Sequence, residues 1–430
     1  MTVIKHVGHG YVCDTKTSLL FPETMMDDFK ALPENKIAQM SKLRYLRKEQ
    51  QMRRRDKKLT SIKLWGYGLI TCPGTCDYCY KHLEEASNPC IAEEQQVTPA
   101  YLDKVMKETK EFRTDDTYIS FFGSSIFNHP QRHDIIETLK TNNDKYLTLS
   151  FVDDMMLTEE KFKDSMCFIE EVASDPFIKT IMLYITLDLG STSRNSKYLS
   201  IDNEEIIQRG KRIVDRFGTN NKVCIVFKSN FGKLTNMDKF RRDVDEFSQL
   251  PCVLMFSPVS HDVYEPTVEM MDEIIAYIGE RKTHVMFRGE ILLNTGEASK
   301  RFFEAFKSTE PQMMELTNGV FCDNAIITCQ AYSTMLSVRN NTTSACCYDY
   351  LSENENGKDS FVLSEVNEAD KDKLVTLPEH CLVCDNVGVC GQCVPRRAVY
   401  KCTEHPALMY WETYIWERRC REYLDGVLDK

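Results

Sequence analysis

The chain has 430 residues, 42% of them hydrophobic, which is enough for two or three globular domains. No apolar run reaches the roughly 18 residues of a membrane span, and the first residues lack the apolar core of a signal peptide. A net charge of -11 argues against a nucleic-acid partner, and eighteen cysteines in a long chain without a secretion signal point to metal or cluster ligation in a reducing, cytoplasmic setting.

In chain order, residues 10–14 and 18–21 read as short strands. A basic run follows at 42–58, where nine lysines and arginines face only Glu49 and Asp56, a local +7 in an acidic protein. A solvated helix face is one reading of that run, and docking of an acidic peptide or tail is the other. Residues 64–71 form an apolar strand-like stretch that ends at three closely spaced cysteines, Cys72-x3-Cys76-x2-Cys79, with Tyr78 beside the last. Three thiolates on one tight loop can hold three corners of a four-iron four-sulfur cluster and leave the fourth iron open. The same spacing suits part of a zinc site, although such sites usually show four ligands and paired knuckles.

Beyond a helix at 77–86, strand-like runs at 118–122, 146–151, 180–187, 222–227 and 253–256 alternate with amphipathic stretches near 98–112, 131–141, 158–173, 203–217, 236–248 and 266–280. Strand then helix, repeated six times, predicts a parallel sheet, because parallel neighbours need crossover connections. The cysteine loop then falls at the carboxyl end of a strand, where the active sites of such barrels lie. The last quarter holds Cys381-x2-Cys384-x5-Cys390-x2-Cys393 and Cys402, preceded by Cys322, Cys329 and Cys346. Taken alone, its paired knuckles also allow two structural zinc sites. Residues 405–427 read as one helix whose Leu408, Trp411, Ile415 and Trp416 pack onto the barrel. Among the remaining cysteines, Cys224 and Cys252 lie in apolar runs and read as core.

The run Thr71-Cys72-Pro73-Gly74-Thr75-Cys76-Asp77-Tyr78-Cys79-Tyr80 resembles the signature of the radical S-adenosylmethionine (radical SAM) superfamily, and the C-terminal pattern is similar to its SPASM extension. The resemblance spans residues 64–404. It implies an α/β fold: a partial (β/α)6 TIM-type barrel at 64–310, a C-terminal cysteine-rich auxiliary-cluster domain at 311–404, and a C-terminal helix at 405–430. Residues 1–63 would be a short N-terminal segment, either a reduced leader-peptide-binding unit or a barrel cap. Three 4Fe-4S clusters and SAM are the implied cofactors. Cys72, Cys76 and Cys79 would hold the SAM-binding cluster. Cys322, Cys329, Cys346 and Cys393 would hold the first auxiliary cluster, and Cys381, Cys384, Cys390 and Cys402 the second.

The family's SAM contacts carry over unevenly. Tyr78 lies within the loop. After the second strand the family shows Gly-Gly-Glu-Pro, where this chain has Gly123, Ser124 and Ser125; the hydroxyls can accept from an ammonium, but the carboxylate is missing and Asp153 or Asp154 would have to supply it. The fourth strand ends in Thr186-Leu187-Asp188-Leu189-Gly190, similar to the family's Ser-x-Asp-Gly segment, with Arg194 downstream; Thr186 and Arg194 suit the SAM carboxylate. Asn341 stands where the SPASM pattern has a turn glycine, and Asn is the residue next most willing to take positive φ.

The implied activity is cleavage of SAM to a 5'-deoxyadenosyl radical and oxidative modification of a ribosomally made peptide by a thioether or carbon-carbon crosslink. A flavodoxin or ferredoxin would supply single electrons, and no membrane or nucleic-acid partner is expected. A protein maturase such as an anaerobic sulfatase maturase, or a small-molecule radical dehydrogenase, is the enzymatic alternative. Cys347 stands where sulfatase maturases carry a basic Asp, which weakens that reading. A degenerate iron-sulfur peptide-binding protein is the non-enzymatic one.

Overall fold

The computed structural model describes residues 4–14, 19–37, 39, 59–65, 97–122, 126–143, 146–191, 201–259, 264, 266–279, 285–287, 335–339, 342–344, 421 and 424. The chain divides into two compact units, one gathering residues 1–56, 291–330 and 368–430, the other residues 57–290 and 331–367.

The first unit contains a three-stranded antiparallel sheet in the order β1-β2-β3, with β1 Ile4–Gly8, β2 Tyr11–Asp14 and β3 Leu20–Pro22. Gly8 pairs with Tyr11, leaving His9 and Gly10 as the reversal. Both have positive φ, 52° and 71°, as a two-residue hairpin requires. Helix α1 (Met26–Lys30) follows, and Phe29 stacks 4.7 Å from Phe21. Val7, Cys13 and Leu424 form a small buried cluster. Of the tail, only Arg421 and Leu424 are described, and both are helical. Leu424 buries against the N-terminal sheet, while Leu408, Trp411, Ile415 and Trp416, the residues expected to pack onto the barrel, lie outside the described residues.

The second unit is built on a nine-stranded sheet, β10-β9-β8-β7-β6-β5-β4-β11-β12. Its strands are β4 Leu59–Trp65, β5 Arg113–Phe122, β6 Leu147–Asp153, β7 Ile178–Thr186, β8 Val223–Phe231, β9 Val253–Pro258, β10 Val285–Phe287, β11 Met335–Arg339 and β12 Thr342–Ser344. All neighbours are parallel except β11 and β12. From β4 to β10 spatial order equals chain order, and each crossover carries one described helix: α2 Pro99–Glu108, α3 Arg132–Thr141, α4 Glu159–Ser174, α5 Asn203–Phe217, α6 Met237–Phe247 and α7 Val268–Gly279. Right-handed crossovers in sequential order place all helices on one face, so the bare face curls inward, as in a partial barrel. Side-chain packing agrees: Phe151 of β6 meets Phe168 of α4, Phe227 of β8 meets Phe247 of α6, and Phe256 of β9 meets Phe240 of α6.

The helix starts are written locally. Thr98, Thr158, Asp202 and Asn236 each accept the backbone N–H three residues on, and Pro99 occupies the first helical turn of α2. The strands differ from expectation at the edges. The first barrel strand is described at Leu59–Trp65, beginning five residues before the expected 64–71, with Ile62 and Leu64 the buried alternate positions that register with Ile119 and Phe121; residues 66–71 lie outside the described residues. Strands β10 to β12 were not foreseen. β11 and β12 belong to the segment expected to open the cysteine-rich domain, yet β11 pairs with β4. Arg339 pairs with Thr342 in the antiparallel β11–β12 ladder, and Asn341 lies outside the described residues.

Candidate active site at the carboxyl ends of the strands

Parallel strands bring the loops after β4, β5, β6 and β7 to one end of the sheet. In sequence, Cys72 comes seven positions after Trp65, the last residue of β4. All eleven expected cluster ligands lie outside the described residues, as do Tyr78, Gly123, Ser124, Ser125 and Arg194. Among the described residues no group of three His, Cys, Asp or Glu side chains could hold a metal ion.

Thr186 is the expected SAM contact that is described. It closes β7 on the face turned away from the helices: Ile181, Leu183 and Ile185 are buried against the helix layer, and Thr180, Met182, Tyr184 and Thr186 alternate with them. Thr186 is half-buried and registers with Lys228 of β8.

The turn after Thr186 is braced on several sides. Asp188 is fully buried with φ 49°, and its Oδ1 accepts both the backbone N–H and the side-chain amide of Asn230, each at 2.9 Å. The Leu189 N–H donates to Ser229 Oγ and the Gly190 N–H to Asp243 Oδ2, both at 2.9 Å. Asn203, at the start of α5, donates its amide to the carbonyls of Asp188 and Ser191 at 3.1 Å. Asp188 therefore clamps β7 to β8 within the segment likened to Ser-x-Asp-Gly. Burial opposes the charge of Lys239, but the Glu204 and Asp243 carboxylates outweigh it and raise its pKa, so Asp243 carries a cation behind the turn.

The loop after β6 is shaped by the two acids considered as substitutes for the missing carboxylate. Asp153 Oδ1 accepts the Met155 N–H at 2.6 Å and Asp154 Oδ1 accepts the Met156 N–H at 3.0 Å, local turns that support Met155 at φ 56°. Asp153 is buried and, by alternation with Phe151, faces the helices. Arg209 of α5 reaches across and donates from Nη1 to the carbonyls of Met155 and Leu157 at 2.8 and 2.6 Å, with its guanidinium 5.0 Å from the Phe162 ring. Arg132 of α3 does the same beyond β5: Nη1 donates to the Phe127 carbonyl at 2.6 Å, Nη2 pairs with Asp164, and the guanidinium lies over Phe168. Each loop is thus gripped from outside by a buried charged side chain of a later helix. Nothing in local sequence marks the Arg209 bracket, which joins positions more than fifty residues apart, whereas Arg132 reaches a carbonyl only five residues back.

The inward face is mixed, with Val152, Met182, Val226 and Met255 among its polar positions. Ser120 and Ser150 are register partners on β5 and β6, both buried, and Tyr184, Thr186, Lys228 and Asn230 continue the face on β7 and β8. Cys224, expected in the core, is a half-buried inward position whose thiol pKa burial raises. Cys252 precedes β9, and burial pushes its thiol up to about 12.

No family model matches the chain, and no curated protein matches it. Solved structures do. SuiB of Streptococcus suis superposes over 94% of this chain and 97% of its own at 11% identity, with a TM-score of 0.52. The same protein bound to S-adenosylmethionine gives 11% identity, 94% and 96% coverage and a TM-score of 0.51. Bound to its precursor peptide SuiA it gives 10%, 94% and 98%, and 0.53. The likeness is one of fold, over most of both chains, and it agrees with the fold implied by the cysteine loop.

Proposed function

We propose that this chain is a radical SAM enzyme with a SPASM-type C-terminal domain that oxidatively modifies a peptide. The observation that carries the reading is the Cys72-x3-Cys76-x2-Cys79 loop, placed after the first strand of a sequentially ordered parallel sheet. The shared fold of a protein crystallised with S-adenosylmethionine and with a precursor peptide supports both the cofactor and the substrate class. The donor set fits: three thiols on one loop are what an open-cornered 4Fe-4S cluster takes, and eight further cysteines suffice for two auxiliary clusters. When bound, the first cluster supplies the electron that cleaves SAM to a 5'-deoxyadenosyl radical.

The chain's own part is positional. Asp188, Asn203 and Asp243 fix the turn that presents Thr186, and Arg209 and Arg132 hold the neighbouring loops against the helix layer. With Gly123, Ser124 and Ser125 in place of the acidic run, hydroxyl and backbone groups would receive the SAM ammonium. The auxiliary clusters would accept the second electron that an oxidative crosslink requires, in a reducing cytoplasm with a flavodoxin or ferredoxin as donor.

The test is formation of 5'-deoxyadenosine by the anaerobically reconstituted protein given SAM and a strong reductant, with Cys76→Ala as control. Production in the wild type alone is expected. Failure of a cluster-loaded wild type to cleave SAM would favour the non-catalytic peptide-binding alternative that Ser124 and Ser125 suggest.

A further inference from the structure

At the carboxyl end of β8 one amide side chain is held in a fixed direction while its acceptor oxygen is left unused. Phe227, Ser229 and Phe231 are buried on the helix side, Phe227 against Phe247, so Asn230 lies on the inward face of the sheet. It is half-buried and registers with Ser257 of β9. Its Nδ2 and its backbone N–H both donate to Asp188 Oδ1 at 2.9 Å. A carboxylate only accepts, so the amide turns its nitrogen to Asp188 and its carbonyl oxygen away from the β7 turn. Among the described residues no donor reaches that oxygen. A half-shielded acceptor that the fold has already oriented loses little further freedom on receiving an N–H, and it discriminates against a group that lacks one.

We propose that Asn230 is a substrate-binding residue whose Oδ1 accepts a hydrogen bond from a backbone N–H of the peptide. This rests on the functional reading above. A fixed acceptor for one main-chain N–H sets the register of the peptide against the radical source. SAM carries the same donor chemistry in its adenine amino group. The SAM contacts implied by the sequence follow β4, β5 and β7, however, whereas Asn230 stands on β8 with its carbonyl turned from the β7 turn.

The experiment uses the reconstituted holoprotein and reads two double cycles by equilibrium dialysis. In the first, acetyl-Gly-Gly-Gly-methylamide and acetyl-Sar-Sar-Sar-dimethylamide, which has no N–H, are each measured against wild type and Asn230→Ala in the presence of SAM. The wild type is expected to prefer the triglycine probe by about fivefold more than Asn230→Ala does. Binding of neither probe to the wild type, or an equal preference in the two proteins, overturns the proposal. In the second cycle SAM is compared with S-inosylmethionine, in which oxygen replaces the adenine amino group. An equal preference in the two proteins is expected. A preference for SAM about fivefold greater in the wild type would give the acceptor to adenine and overturn the proposal. Any loosening of the β7 turn in Asn230→Ala acts on both members of a pair alike and cancels, and the backbone N–H at position 230 still holds Asp188. Asn230→Leu repeats both cycles with the branched shape of the side chain kept. A wild type that retains no SAM at all would fail the functional reading instead, and the peptide cycle would still decide the role of Asn230.

Discussion

A methyl group on Gly190 would have nowhere to go. Its Cβ would lie 2.6 Å from Phe240 Cβ and 2.9 Å from Phe240 Cα, and the residue holds φ 77°. Gly10 has a similar φ of 71° but open space around its missing side chain. The pair separates two effects. Gly10→Ala should cost about 1 kcal/mol, the conformational strain alone, whereas Gly190→Ala should cost about 3 kcal/mol because α6 must also shift. Urea midpoints of the two variants measure the difference; equal midpoints would show that the turn after β7 is looser than its hydrogen bonds imply. At this scale the sequence was partly legible. The strand ending at Thr186 was legible from pattern, but the clamp made by Asp188 was not, since a left-handed buried aspartate looks like any strand-end acid.

The loop after β6 is anchored by a helix of the next crossover. Arg209 shows the device most clearly, with two carbonyls of the loop after β6 on one guanidinium and 3% of its side chain exposed. Arg212, one turn later on the same helix, pairs with Glu159 at 2.7 and 3.0 Å but is 42% exposed. Arg209→Met should destabilise by about 2–4 kcal/mol, because two buried acceptors lose charged donors, while Arg212→Met should cost below ~1 kcal/mol after solvent screening. Hydrogen exchange followed across residues 153–158 provides the finer readout: protection there should fall in Arg209→Met and hold in Arg212→Met. Elements themselves were well legible where they are long. Helices α2 to α7 fall within a few residues of their expected spans, because each has a buried stripe and all but α3 have a side-chain cap. The failures, β1 and β10 to β12, are strands of three to five residues, too short for an alternation of period two to stand out. β4 was displaced because the apolar run after it is more conspicuous than the Ile62 and Leu64 alternation that sets its register.

Across the whole molecule, fold is carried by pattern far below recognisable identity, at 10–11% against the SuiB structures. What pattern cannot convey is long-range closure, such as Leu424 meeting Val7 and Cys13 from the opposite end of the chain. Ion pairs, some within one helix and some between neighbouring helices, set the response to pH. Hydrogen bonds from Lys107, Arg212 and Lys239 lead the causes that hold the Asp103, Glu159 and Glu204 carboxyls below their ordinary values. Burial works against the Asp175 carboxylate, yet the Lys140 ammonium and the Phe177 N–H hold it below 3.8 as well. A carboxyl whose pKa is depressed by folding adds stability that is complete above its unfolded value and is lost as pH falls through the folded one. For Lys140, whose pKa the Asp175 and Glu137 carboxylates raise above 10.5, the same pairing is complete below 10.5 and is lost as pH rises through the folded value. Between those limits the pairs are intact, while lowering pH from 7 toward the pI near 5.5 removes the repulsion of a -11 chain. Stability should therefore rise slightly from pH 7 to about 5.5 and fall steeply below about 4. Lys140→Met tests the assignment: its urea midpoint should lie below wild type at pH 7, and the gap should close as pH drops below 3.8 and Asp175 takes up its proton. A gap that persisted unchanged at pH 3 would mean that Lys140 stabilises the fold through its packed stem and not through Asp175.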